Sequence, residues 1–129
     1  MLADFAPSAT VAVKDLAKVR PFYEEILGLK PIGADMRGAQ AFAVAGGTMV
    51  VYESQFAGTN QATAVTWTLG EELDATVKDL AAKGVAFEHY QWPGVILEGD
   101  VHVADGPGPS RVAWFKDPDG NILSIVSGD

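Results

Sequence analysis

The sequence has 129 residues, 48% of them apolar and 20% charged, with 17 acidic against 9 basic side chains and a formal net charge of −8. That length suits one domain able to bury roughly two-thirds of its unfolded surface, and the composition excludes global disorder. Cys is absent and only two His occur, His89 and His102, which excludes a disulfide scaffold, a thiol nucleophile and thiolate-bound zinc or iron–sulfur centres.

Ala9 to Val13 are β-prone and follow a Pro–Ser break, so they read as a strand. Asp15 can cap a helix in which Leu16, Val19, Phe22, Tyr23, Ile26 and Leu27 recur at helical spacing, closed by Gly28. Pro21 is awkward inside that helix, and a regular helix beginning near Val19 would place it in the tolerated first turn. Strands are expected at Pro31–Asp35, Gln40–Ala45 and Thr48–Ser54, with a tight turn at Gly46–Gly47. A small polar connector, Phe56–Gln61, separates this half from a second one.

There Thr63–Leu69 reads as a strand, and Leu73, Val77, Leu80 and Ala81 mark a helix that Gly84 closes. Strands follow at Val85–Tyr90, Arg111–Lys116 and Asn121–Val126. Both halves thus read strand–helix–strand–strand–strand, an internal duplication of element order. The Gly/Pro-rich stretch from Trp92 to Ser110 has room for one short hairpin arm, and long loops of this kind are often functional or mobile. Asp117-Pro118-Asp119-Gly120 is a strong turn signal between the last two strands.

Together, Lys14-Asp15-Leu16 before the first helix, Phe22-Tyr23 within it, Leu27-Gly28-Leu29 at its end and the run Trp114 to Leu123 resemble the vicinal oxygen chelate superfamily. This superfamily includes glyoxalase I, extradiol dioxygenases and bleomycin-resistance proteins. The resemblance covers nearly the whole chain. It implies an α+β domain over 1–129, built of tandem βαβββ modules at about 8–56 and 62–127. Their cupped, mostly antiparallel sheets would enclose a shared cavity, and homodimers are frequent.

Enzymes of that family place His, Glu, His and Glu ligands in the first and last strands of the modules. Carried onto this chain, those positions fall on Ser8, Val51, Ala64 and Ser124. None is an ordinary ligand for a divalent metal. The resemblance therefore implies no metal at the family position and no cofactor. Strand alternation places Ser8, Thr10, Ala64, Thr66 and Ser124 on the cavity side, together with Met49, Val51 and Glu53 of the fourth strand. Trp114 takes the face opposite Phe115 and reads either as a cavity residue that can stack on a planar ligand or as a second core aromatic.

Glu53 is the best candidate general base, or else an exposed carboxylate at a strand end. Tyr90 and Trp92 read as a cavity rim or as edge packing. Glu98, Asp100 and His102 would share one face of an extended strand, and His89 reads as a surface residue.

These readings favour a metal-free protein that binds a small organic molecule, aromatic or cationic. The alternative is a lyase, isomerase or dioxygenase-like enzyme on the same scaffold, metal-independent or with unusual metal ligands. The excess of acid argues against a nucleic-acid partner, and no apolar run is long enough for a membrane span. Met1 to Pro7 carry Asp4 and lack a basic n-region, so a cytoplasmic protein is expected.

Overall fold

The computed structural model describes residues 1–104 and 111–128. Its elements are strands β1 (Ala9–Val13), β2 (Lys30–Ile32), β3 (Ala39–Val44), β4 (Gly47–Glu53), β5 (Thr63–Thr68), β6 (Phe87–Glu88), β7 (Val95–Glu98), β8 (Val101–Ala104), β9 (Arg111–Lys116) and β10 (Ile122–Val126), with helices α1 (Leu16–Pro21) and α2 (Leu73–Ala82). This is the expected α+β class. One four-stranded sheet runs β1-β4-β3-β2, and a six-stranded sheet runs β5-β10-β9-β8-β7, with β6 also paired to β9. β1 and β4 pair in parallel, while β2–β3, β3–β4, β9–β10, β6–β9, β7–β8 and β8–β9 pair antiparallel. No helix among the described residues is long and apolar enough to cross a membrane.

The chain divides into two compact units, one formed by Met1–Ala64 with Asp117–Asn121 and the other by the described residues of 65–116 and 122–128. In the first, Val11, Val13, Leu16, Val19, Phe22, Tyr23, Phe42, Met49 and Val51 form the buried core. Burial of each such side chain stabilises the fold by about 1.5–3 kcal/mol. The Tyr23 ring meets Phe22 edge-on at 5.2 Å and Phe42 at 6.3 Å. Gln40 is also buried on this face, and its amide is satisfied by Arg20 and by the carbonyls of Ile32 and Ala41.

α1 begins at Leu16, earlier than the Pro21 argument suggested, because the Asp15 carboxylate accepts from the Ala17 amide at 3.0 Å. Pro21 instead stands at the end of the α-helix. Lacking an N–H, it cannot continue the ladder, and Phe22–Ile26 widen into a π turn closed by Leu27 N–H to Phe22 O at 2.9 Å. Gly28, at φ +73°, then releases the chain.

The Asp117–Asn121 turn is tied into the first unit by a buried polar network. The Asp117 carboxylate accepts from the Tyr23 hydroxyl (2.6 Å), the Asp119 and Asn121 amides (2.9 and 2.8 Å) and Asn121 Nδ2 (2.8 Å). Asn121 Nδ2 also donates to Ala12 O at 2.7 Å, and the Lys14 amide donates to Asp119 Oδ2 at 2.7 Å. Burial, and then the charge of Asp117 and its hydrogen bond, push the Tyr23 phenol well above its ordinary value of 10.0. Gly58 sits against this turn at φ +72°, where a Cβ would collide with the Asp119 carbonyl.

In the second unit α2 buries Leu73, Val77 and Leu80, while Ala81, expected on the same face, is exposed. Ala113, Phe115, Leu123 and Ile125 are buried from β9 and β10, and Phe87 meets Phe115 edge-on at 5.8 Å. Most strand bounds fall within a residue or two of expectation. The strands expected at Pro31–Asp35 and Val85–Tyr90 shorten to Lys30–Ile32 and Phe87–Glu88, and the tight turn shifts to Ala45–Gly46, with Val44 paired to Gly47.

The Gly/Pro-rich stretch holds a complete hairpin, β7–β8, in which Glu98 pairs with Val101 around Gly99–Asp100. Gly99, at φ +63°, occupies the first central position of that two-residue turn, where a positive φ suits the twist of the flanking strands. The remainder of the stretch, 105–110, lies outside the described residues. β6 and β8 occupy the same edge of β9, β6 against Trp114 and Phe115 and β8 against Arg111 and Val112.

Candidate functional site

In the first unit the sheet face opposite the core carries small and hydroxyl groups. Ser8 Oγ lies 2.7 Å from Thr48 Oγ1, and Thr10 Oγ1 donates to the Ser8 carbonyl at 3.2 Å. The β1–β4 register places Thr10 beside Val50 and Ala12 beside Tyr52, and β3 sets Ala41 beside Val50. The same register corrects one expectation. Val11 pairs with Val51 and Val13 with Glu53, so β4 presents Met49, Val51 and Glu53 to the side that β1 uses for the core. Met49 and Val51 are 1% and 0% exposed and lie within that core, not beside Ser8 and Thr10.

Glu53 ends the same strand, and its Oε2 accepts from the Leu16 amide at 3.0 Å. A carboxylate there complements the unpaired amides at the start of α1. The Glu53 side chain also lies over Gly38, where a Cβ would meet its Oε1. With Lys14, Ser54 and Gln55 it lines a cavity of ≈ 320 Å³. The proposed base is thus already engaged by the main chain.

In the second unit a second hydroxyl pair is formed by Thr66 Oγ1 and Ser124 Oγ, 2.7 Å apart. Ser124 is 3% exposed and pairs with Trp114 across β9–β10, so the two share a face, opposite Leu123 and Phe115. Ala64 is exposed at the start of β5.

Beyond Trp114 stands an aromatic cluster. His102 meets the Trp114 ring edge-on at 4.8 Å, Trp92 stacks on His102 at 5.7 Å and 15°, and Tyr90 packs on Trp114 at 5.4 Å and on His102 at 5.9 Å. His102 is 2% exposed. The Tyr90 main-chain N–H, which can only donate, points at its Nε2 at 2.8 Å, so Nδ1 carries the proton and faces Val112 O at 3.3 Å. Both ring nitrogens are therefore committed. Burial and then the charge of Glu88 raise the Tyr90 phenol above its ordinary value, partly offset by Lys116. Tyr90, Gln91, Trp92, Pro93, Val95 and Leu97 line a cavity of ≈ 430 Å³.

Glu98, Asp100 and His102 do not share a face, because the Gly99–Asp100 turn separates them. Asp100 instead meets Nε2 of the half-exposed His89 at 2.8 Å. The sequence reading missed the packing role of His102 and the platform it makes with Trp92. The signal was present in Gly99-Asp100 flanked by Val95–Glu98 and Val101–Ala104, a two-residue hairpin pattern.

The family positions do not fit a divalent metal. Ser8 and Ser124 each hold a neighbouring hydroxyl, Val51 is core and Ala64 has no donor. Among the described residues no group of three His, Asp or Glu side chains gathers as a metal site.

The β1-β4-β3-β2 order recurs in the second sheet as β5-β10-β9-β6, with β8 and β7 added along β9, and this repeated order defines the class of protein. The chain belongs to the glyoxalase/bleomycin resistance protein/dioxygenase superfamily, whose family model matches residues 6–125. An integron cassette protein from the mobile metagenome of the Halifax Harbour sewage outfall is 24% identical, with 93% of this chain and 95% of that one covered and a TM-score of 0.65. The fosfomycin resistance protein FosX from Listeria monocytogenes is 20% identical, with 97% and 93% covered and a TM-score of 0.68. FosX from Mesorhizobium loti is 12% identical, with 98% and 93% covered and a TM-score of 0.66. At these identities the likeness defines the fold alone. A search of curated protein sequences finds no match.

Proposed function

We propose that this protein is a metal-free small-molecule-binding protein of the glyoxalase/bleomycin-resistance type, holding an organic molecule with an aromatic ring. The observation that carries the reading is the pair of hydroxyl contacts, Ser8–Thr48 and Thr66–Ser124, each 2.7 Å, at strands where family enzymes carry metal ligands. A neutral hydroxyl already engaged with another is a poor ligand for a divalent cation but a good partner for a polar organic group. Thr66, Ser124 and Trp114 of the second unit are the contact residues on this reading, with the hydroxyls orienting the ligand and the indole supplying a flat apolar surface.

A calorimetric panel of aromatic and cationic compounds tests the reading, using protein purified without chelators or a metal-binding tag and analysed for metal. Saturable heat with less than about a tenth of an equivalent of transition metal supports it. No heat and no thermal stabilisation from any compound refutes it. The same reading takes the protein as a cytoplasmic homodimer. Exposed Leu2, Phe5, Met36 and Phe56 are apolar surface that a partner copy would cover, and light scattering measures the mass.

A further inference from the structure

The cavity between Tyr90 and Leu97 was not among the hydroxyl-lined positions above, and its chemistry is more specific. We infer that it binds a planar aromatic cation, with the open face of Trp92 as its stacking platform. This inference rests on the proposed small-molecule-binding reading, extends its contacts from Trp114 to the neighbouring Trp92 and narrows the ligand class.

Size and shape come first. A volume of ≈ 430 Å³ lies within the range of small-molecule sites and suits a ligand of a few fused rings. Trp92 is 45% exposed although one face of its indole is stacked on His102. Its edge contact with Trp114, at 5.6 Å and 69°, fixes the ring from a second direction. His102 cannot turn away without breaking its bond from the Tyr90 amide. The platform is therefore held before any ligand arrives, which lowers the ordering cost of binding.

Charge decides the class. The cavity lining of Tyr, Gln, Trp, Pro, Val and Leu carries no formal charge. The neighbouring basic side chains are engaged by acids: Lys116 with Glu88 at 3.2 Å, Arg111 with Asp74 at 2.6 Å and His89 with Asp100 at 2.8 Å. The whole chain has a net charge of −8. An anion would meet aromatic faces of the wrong sign and no basic group in the lining. A cation gains from the negative faces of Trp92 and Tyr90.

The test compares three probes of one shape by calorimetry: 1-methylquinolinium, its neutral isostere 1-methylnaphthalene and the anion 1-naphthoate. Each is titrated into the intact protein and into Trp92→Leu, whose half-exposed position keeps apolar area while removing the π face. The expected result is that 1-methylquinolinium binds about tenfold more tightly than 1-methylnaphthalene, with 1-naphthoate weakest. Trp92→Leu removes most of that preference while its circular dichroism stays unchanged. If the neutral isostere binds as tightly as the cation and Trp92→Leu weakens both, the cation class is overturned while aromatic binding stands. If the cation binds equally well to Trp92→Leu, the location is overturned. Absence of heat from all three, alongside binding of other compounds in the broader panel, overturns this site alone. Silence of the whole panel overturns the parent reading with it.

Discussion

Removing the Tyr23 hydroxyl isolates one bond of the network that ties the Asp117–Asn121 turn to the first unit. In Tyr23→Phe the ring keeps its contacts with Phe22 and Phe42, and only the 2.6 Å bond to Asp117 is lost. Asp117 is 4% exposed and retains the Asp119 and Asn121 amides and Asn121 Nδ2. A hydrogen bond to a buried charged group contributes about 1.5–3 kcal/mol, so a loss near 2 kcal/mol is expected. With a urea m-value of about 1–3 kcal/mol/M, the midpoint should fall by about 1 M.

The pH dependence is a second arm of the same experiment. The folded pKa of Tyr23 is raised above the unfolded value of 10.0. Its stability contribution is therefore fully present below pH 10 and declines above it, by up to about 1.4 kcal/mol per pH unit. Tyr23→Phe should lack that alkaline component. A midpoint shift corresponding to less than about 0.5 kcal/mol, or an unchanged alkaline slope, would show that this bond does not stabilise the fold.

Three further outcomes follow from the same geometry. Thr66→Val strands the buried Ser124 hydroxyl and should cost about 1–3 kcal/mol in urea unfolding, with Thr66→Ser largely restoring stability. Gly58→Ala meets both a positive φ and the Asp119 carbonyl, and should lower stability by about 1–3 kcal/mol, measured by thermal unfolding. The two hydrogen bonds from Arg111 are the largest cause holding the Asp74 carboxyl below its ordinary value, so an NMR titration should show it rise in Arg111→Gln.

Much of the fold was legible because local signals agreed with one another. β1 and β9 match their expected bounds, and α2 shows Leu73, Val77 and Leu80 on one buried face. The turn after Lys116 was also plain from Pro118 and Gly120. Its energetics were not, since the partners of Asp117 include Tyr23, 94 residues away in sequence. The facing of β4 was illegible for a different reason. Met49, Val50, Val51 and Tyr52 give both faces an apolar character, so alternation alone does not choose between them. The parallel register with β1 makes the choice, and it sends Met49 and Val51 inward.

Pro21 signalled a break but not its form, because a π turn depends on how the following residues reach back to the helix. The hydroxyl positions Ser8 and Ser124 could be reached by counting from the motifs. Thr66 followed from alternation, but its bond to Ser124, and the whole role of Thr48 beside Ser8, depend on strand contacts that counting along the chain does not give. The Trp92–His102 stack needed the β7–β8 hairpin, which brings Leu97 beside His102.

One affinity comparison decides whether ligand binding to this protein depends on metal. The dissociation constant of a bound aromatic compound is measured for protein dialysed against chelator and again after manganese is restored in excess. The hydroxyl-paired positions predict equal affinities within about twofold, since 1.4 kcal/mol of metal-dependent contact would already change the constant tenfold. Binding that disappears after dialysis and returns with manganese would contradict the account.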